Sequence, residues 1–252
     1  MGVVPESMAR IHSYWKHYFE YGNTLAFKPR FTLSDGGLNL HSPAIQHSDD
    51  FASYRRNLAE IQRLDGFYAS RFRKHILRLP YLFSVLRSLR RYGPIFGQLI
   101  MGALTGKKES SRRSAFTHVV ADNARATARL YRDKAARELY MALIDRFANV
   151  CRDAGRKPVL LILPQPIDLA RMDRGQRDYH GFIAGLSDTL PVLDLSDKFH
   201  AAPDRKSLYV EGPLGPHISA EGNQIITDTI RPIISEGLAL SNHANEHEQH
   251  NA

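Results

Sequence analysis

The residues best suited to chemistry lie in one stretch, Leu208-Tyr209-Val210-Glu211-Gly212-Pro213-Leu214-Gly215-Pro216-His217-Ile218-Ser219-Ala220-Glu221-Gly222-Asn223. Its prolines and glycines predict an irregular loop, with His217 standing just before a helix that Ser219 would cap. An imidazole titrates near neutrality and can take or give a proton there. In an α/β sheet the loops at the strand carboxyl ends line the ligand crevice, so a histidine at such a point reaches bound substrate. Taken by itself, His217 is more simply read as a loop histidine bonding a backbone carbonyl.

Other sites of possible chemistry are weaker. Asp49 and Asp50 fit the start of a helix, where carboxylates complement the dipole, better than an acid–base pair. His12 and His17 are five residues apart, not at the i, i+4 spacing that aligns two metal ligands on one helix face. Trp15 reads as core, with sugar stacking as the alternative. The single cysteine, Cys151, excludes an internal disulfide and any zinc site built on several cysteines. No glycine-rich phosphate loop occurs.

The elements that would hold these residues follow from pattern. Gly2-Val3-Val4 reads as the end of a buried strand, followed from Pro5 by a helix with the stripe Met8, Ile11, Trp15, Tyr18 and Phe19. Phe31-Thr32-Leu33 and Leu38-Asn39-Leu40 flank Ser34-Asp35-Gly36-Gly37 and predict a β-hairpin. A helix is expected from Ser48. From Asp65 to Leu104 short helices are expected, cut at Pro80 and Pro94, and a mobile polar loop over Thr105–Ser114. One long helix is predicted over Ala121–Asp153, with Ala136, Leu139, Tyr140, Leu143, Phe147, Val150 and Cys151 inward and Gly155 as its stop. Val159–Leu163 and Pro191–Leu195 read as buried strands separated by a helix over Gln176–Leu190. A last helix should begin near Ser219, with Ile226, Ile230, Ile233 and Ile234 inward and Pro232 loosening its end. Beyond Gly237 the chain, with His243, His247 and His250, reads as a solvated tail; a metal-binding tail is the alternative. Strand–helix–strand–helix order predicts an α/β fold with a mostly parallel sheet.

The run His217-Ile218-Ser219-Ala220-Glu221-Gly222-Asn223, followed by an aliphatic helix, resembles the closing block of SGNH (GDSL-type) hydrolases. The opening Gly2-Val3-Val4-Pro5-Glu6-Ser7 resembles, more loosely, the family's third block, a strand ending in a turn. The resemblance covers residues 1–8 weakly and about 120–237 well. It implies a three-layer α/β/α fold over residues 1–237, with a basic helical insertion over about 41–118 and a disordered tail over 238–252. It implies hydrolysis of an ester, often an acyl group on a carbohydrate or lipid, without metal or organic cofactor. His217 would be the general base. The sequence departs from the family in three places. No Gly-Asp-Ser segment supplies a nucleophile. Leu214 occupies the position of the acid, so Glu211 or Asp194 would have to orient the imidazole. Ser7, beside Glu6, occupies the position of the oxyanion-hole asparagine. The activity is therefore expected to be impaired or absent, as in a chain that begins downstream of the family's nucleophile strand.

Charge is unevenly spread. The chain of 252 residues has a formal net charge of +8, yet between Arg71 and Arg113 eleven Lys and Arg face the single acid Glu109. Arg71, Arg73, Lys74, Arg87, Arg90 and Arg91 interleave with large apolar residues. A packed helical subdomain with a basic rim accounts for this; so does a non-catalytic binding domain for an anionic membrane surface or an acidic polysaccharide. No nucleic-acid-binding signature accompanies it, and no nucleic-acid partner is expected. The first residues lack a basic start and a long apolar run, which predicts no secretory signal and a cytoplasmic location by default.

Overall fold

A computed structural model describes residues 4–15, 27–73, 81–186, 189–212 and 215–249. Helix and strand are mixed, and two compact units make up the chain, Met1–Ile144 and Asp145–Ala252, where the sequence reads as one domain with an insertion. Among the described residues the strands form three two-stranded sheets, one of them parallel. The coarse α/β expectation holds, and the larger parallel sheet goes no further here than that one pair.

The first unit opens with α1 (Val4–His12), so Val4 begins a helix instead of ending a strand; Pro5 suits a first turn, where its missing N–H has no partner. Met8 and Trp15 of the expected stripe are buried; Tyr18, Phe19 and His17 lie outside the described residues. Trp15 joins Phe27 in an isolated antiparallel bridge and meets the Phe72 ring edge-on, with centroids 5.2 Å apart. The hairpin is as expected, β1 (Arg30–Ser34) against β2 (Gly37–His41). Gly37, at φ 100°, adopts a backbone conformation that favours glycine just after the Asp35-Gly36 turn.

A short 3-10 turn (Ser48–Ser53) starts where predicted, and the Asp50 carboxylate accepts the backbone N–H groups of Gln46 and His47 at 2.9 Å each. Then come α2 (Leu58–Leu64), a wide single turn (Tyr68–Phe72), α3 (Tyr81–Arg87), α4 (Leu89–Thr105) and α5 (Lys108–Leu130). Pro80 lies outside the described residues. Pro94 does not cut the chain: α4 runs through it. The expected mobile loop over 105–114 reduces to Gly106, at φ 72°, and Lys107, because charged residues such as those of Lys108–Arg113 are good helix formers once a helix can start. The long helix expected over 121–153 is two. Tyr131–Asp133 form a turn, and Asp133 caps α6 (Lys134–Asp153) by accepting the Ala136 N–H at 2.8 Å. Along α6 Ala136 and Leu139 are buried, but Phe147 and Val150 are exposed, against expectation.

The second unit is built on β3 (Leu160–Ile162) and β4 (Val192–Asp194), paired in parallel with Leu160 opposite Val192 and Ile162 opposite Asp194. Between them lie α7 (Pro166–Met172), which periodicity had not isolated, and the short α8 (His180–Ala184). Gly181 and Gly185 fall inside the segment where a helix over 176–190 was expected, and glycine disfavours helix by about 1 kcal/mol each. After β4 come α9 (Ser196–His200), β5 (Tyr209–Gly212) and β6 (Gly215–Ile218), an antiparallel pair, and α10 (Ala220–Gln249). Leu169, Met172, Leu195, Phe199 and Leu208 form the core, with Leu161, Leu193, Tyr209, Ile218, Ile225 and Ile226 packed on it. Ile234, expected inward, is exposed. The residues read as a polar tail beyond Gly237 continue α10 to Gln249; leucine, alanine, glutamate and glutamine there favour helix.

The first unit holds a buried carboxyl. Asp65 is 3% exposed. Its Oδ1 accepts the Phe67 N–H at 2.8 Å and its Oδ2 the Trp15 N–H at 3.4 Å. Burial raises its pKa to about 6, against the hydrogen bonds and the Arg30 guanidinium, which lower it. A folded-state pKa above the unfolded 3.8 means the native state holds the proton more tightly; the stability it contributes is present below 3.8 and lost as pH rises through about 6. Neighbouring His12 is pushed below its ordinary value by burial and then by Arg30, so its contribution to stability grows as pH rises, opposite in sense to that of Asp65. The comparison of wild type with Asp65→Asn isolates the carboxyl. Urea unfolding should show wild type losing on the order of 2–3 kcal/mol relative to the variant across that window; parallel pH profiles would contradict the buried carboxyl.

Candidate functional site

Polar groups gather where β3 and β4 end. Past β3, the Tyr209 hydroxyl donates to the Pro164 carbonyl at 2.9 Å, which fixes the start of β5 at that edge. Gln165 precedes α7, and the buried Asp168 accepts its N–H at 2.9 Å. Asp194, the last residue of β4, accepts the Ser196 N–H at 2.9 Å through Oδ1 and stands 3.6 Å from His180 Nε2 through Oδ2. That separation is an electrostatic contact, too long for a hydrogen bond, and the His180 Nε2 is buried with no hydrogen-bond partner. The hydroxyls of Tyr179 and Ser196 lie 2.5 Å apart, and Ser196 is fully buried.

Burial, then negative charge, sets the protonation of the phenols. Tyr209 is pushed well above the ordinary tyrosine range by burial and then by Asp168 and Tyr179. Tyr179 is pushed up by burial, opposed by its bond to Ser196 and reinforced by Asp194 and Asp168. Both therefore stay protonated near neutral pH; Tyr209 donates to Pro164, and in the Tyr179–Ser196 pair either hydroxyl can be the donor.

His217 lies on β6 directly opposite Val210, not in an irregular loop. Opposed residues of an antiparallel pair share a face and successive residues alternate. Tyr209 and Ile218 pack on the core, so Val210 and His217 turn the other way, and both are exposed. Glu211, opposite Pro216, belongs to the Tyr209 side, which separates it from the imidazole it was expected to orient. Asp194 is engaged by Ser196 and His180, so it too is placed with other partners. Leu214 lies outside the described residues. Ser219 does what the sequence predicted: it is buried, its hydroxyl accepts the Gly222 N–H at 3.1 Å and donates to the Ser207 carbonyl at 2.7 Å. Ser7 lies on α1 in the first unit and bonds the Tyr140 hydroxyl.

Of the basic candidates, Arg71 is spent internally. It is buried, pairs with Asp122 at 3.1 Å, donates to Asn123 at 3.2 Å and lies 5.3 Å over the Phe67 ring. Arg73, Arg87 and Arg90 are exposed; Lys74 and the side chain of Arg91 lie outside what is described. Asp168, Tyr179, His180, Ser196 and Tyr209 escaped sequence reasoning. The available signal was position, since Gln165 and Asp194 follow or end the two apolar strands.

No family model matches the chain, and neither a curated protein nor a solved structure matches it.

The Tyr179–Ser196 pair is testable by a double-mutant cycle. Ser196→Ala leaves a buried phenol without that partner and should cost about 1–3 kcal/mol in urea unfolding. Adding Tyr179→Phe should cost little more, whereas fully additive losses would place the two hydroxyls apart.

Proposed function

We propose that the second unit is the closing part of an SGNH-type ester hydrolase domain, a three-layer α/β/α fold with a mostly parallel sheet of which β3 and β4 are one pair. The observation that carries this reading is the ordered unit of exposed histidine, buried Ser219 cap and α10, tied by Tyr209 to the carboxyl end of β3. The segment order supports it too: strand, helices, strand, then the histidine and a closing helix. The substrate class is a small ester or an acylated carbohydrate, handled without metal or organic cofactor.

In this reading His217 is the general base that would activate the family's serine; without that serine the step open to it is to take a proton from water as the water oxygen adds to the ester carbonyl and to return it to the leaving alcohol, releasing the carboxylic acid. No Gly-Asp-Ser segment in the sequence supplies that serine, and neither Glu211 nor Asp194 is set to orient the ring. Both facts argue for a low rate, since an imidazole without its nucleophile and orienting acid retains only a small part of triad catalysis.

The test is hydrolysis of an aryl acetate by the whole chain. His217→Ala should lower the rate above buffer by about tenfold, while alanine at the exposed His118 leaves it unchanged. Equal rates for wild type and His217→Ala, or no turnover by either, would remove the hydrolase reading of this chain.

A further inference from the structure

The strongest unexplained feature lies in the first unit. Between Arg91 and Lys107 the sequence contains no charged residue, and α4 covers most of this stretch. It packs along α5. Gly102 is buried, and a Cβ there would overlap Ser111, so the two backbones approach closely at that point. Ile95 and Gln98 are half-buried on the same side. Around the rest of the helix Phe96, Leu99, Ile100, Met101 and Leu104 are exposed, Leu104 by 77%. At 100° per residue these positions, with Gly97 and Ala103, sweep an arc of roughly 200°. A helix apolar over so wide an arc is normally covered, and large exposed apolar patches mark interaction sites. On α3, Leu82, Phe83 and Leu86 are exposed as well.

The charges around this surface are almost all of one sign. Arg87, the last residue of α3, and Arg90, in the first turn of α4, are exposed; Lys107, Lys108 and Arg112 are exposed beyond the end of α4, with Glu109 the one acid among them. The 17 residues of α4 span about 25 Å, short of the ~30 Å hydrocarbon core, and no helix of the described residues is long and apolar enough to cross a membrane.

We propose that α3 and α4 dock on an anionic lipid bilayer, lying in its plane with the exposed arc of α4 at the acyl–headgroup boundary and the flanking arginines and lysines at the lipid phosphates. The shape of the surface selects this occupant. A helical or groove-shaped protein partner needs one stripe, whereas lipid wets a convex surface of any width. A second copy of this chain would bring like charges together around the same patch. An acidic polysaccharide would satisfy the basic residues and leave the apolar arc in water. The hydrolase reading is independent of this proposal.

Co-sedimentation of the whole chain with phosphatidylcholine vesicles, with and without phosphatidylglycerol, tests it. The protein should pellet with the anionic vesicles, and raising salt from about 0.1 M to about 0.5 M should weaken binding. Ile100→Glu with Leu104→Glu should reduce partitioning about tenfold or more, and Arg87→Glu with Arg90→Glu should abolish the preference for anionic lipid. All four positions are exposed, and unchanged near-UV circular dichroism verifies the fold. No pelleting by anionic vesicles overturns the proposal. So does pelleting unaffected by Ile100→Glu with Leu104→Glu, retention on acidic polysaccharide beads without vesicle binding, or a dimer in solution that vesicles do not capture.

Discussion

A phenol that leaves water must keep a hydrogen-bond partner, and in the second unit that requirement falls on Tyr209. Its ring packs on the Leu169–Phe199 core while its hydroxyl donates to the Pro164 carbonyl, where β3 has just ended. A buried donor left unpaired costs about 1–3 kcal/mol, so the hairpin starts at that edge of the parallel pair and not elsewhere. From there the register is determined. Tyr209 and Ile218 face the core together, Val210 and His217 face out together, and the Ser219 N–H closes on the Leu208 carbonyl at 2.9 Å. Ser219 then starts α10. The exposure of His217 follows from a tyrosine eight residues earlier.

The two units differ in how their polar and apolar groups are satisfied. In the second, the ends of β3, β4 and β6 are each answered by a side chain: Asp168 accepts from Gln165, Asp194 from Ser196, Ser219 from Gly222. The first buries Asp65 beside the Arg30 guanidinium, whose Nε and Nη1 are buried without a hydrogen bond, while large aliphatic side chains of α3 and α4 remain in water. Uncovered apolar surface bordered by cations is a poor solution in water and a good one at an anionic interface.

Sequence pattern disclosed the elements whose signals are local. Asp35-Gly36-Gly37 announced the hairpin, prolines at 158, 164 and 191 bracketed two apolar runs that became β3 and β4, and a serine before Ala220 announced the last cap. The failures share a cause. The break at Tyr131–Asp133 contains neither glycine nor proline, and it shows only in bonds such as the Asp133 N–H to the Leu130 carbonyl at 3.0 Å and the Asp133 cap on Ala136. Phe147 and Val150 share a face with Leu143 by periodicity, but periodicity cannot say whether that face is covered. Pro216 and Gly215 looked like loop residues, yet at the end of a two-stranded ribbon a proline loses no required bond. Once that hairpin is recognised, Glu211 and His217 separate onto opposite faces. The pairing of His180 with Asp194 was illegible because it depends on the parallel register of β3 and β4 and on no spacing within one segment.

The Tyr209–Pro164 bond holds the histidine hairpin at the carboxyl end of the parallel pair. Amide hydrogen exchange reads this directly. In wild type the backbone N–H groups of the β5–β6 ladder and of Ser219 should be protected, and Tyr209→Phe should speed their exchange about tenfold or more while leaving Leu195 N–H, bonded to Ile162 at 3.1 Å, protected. Hairpin amides that exchange freely in wild type, or at an unchanged rate in Tyr209→Phe, would contradict the account.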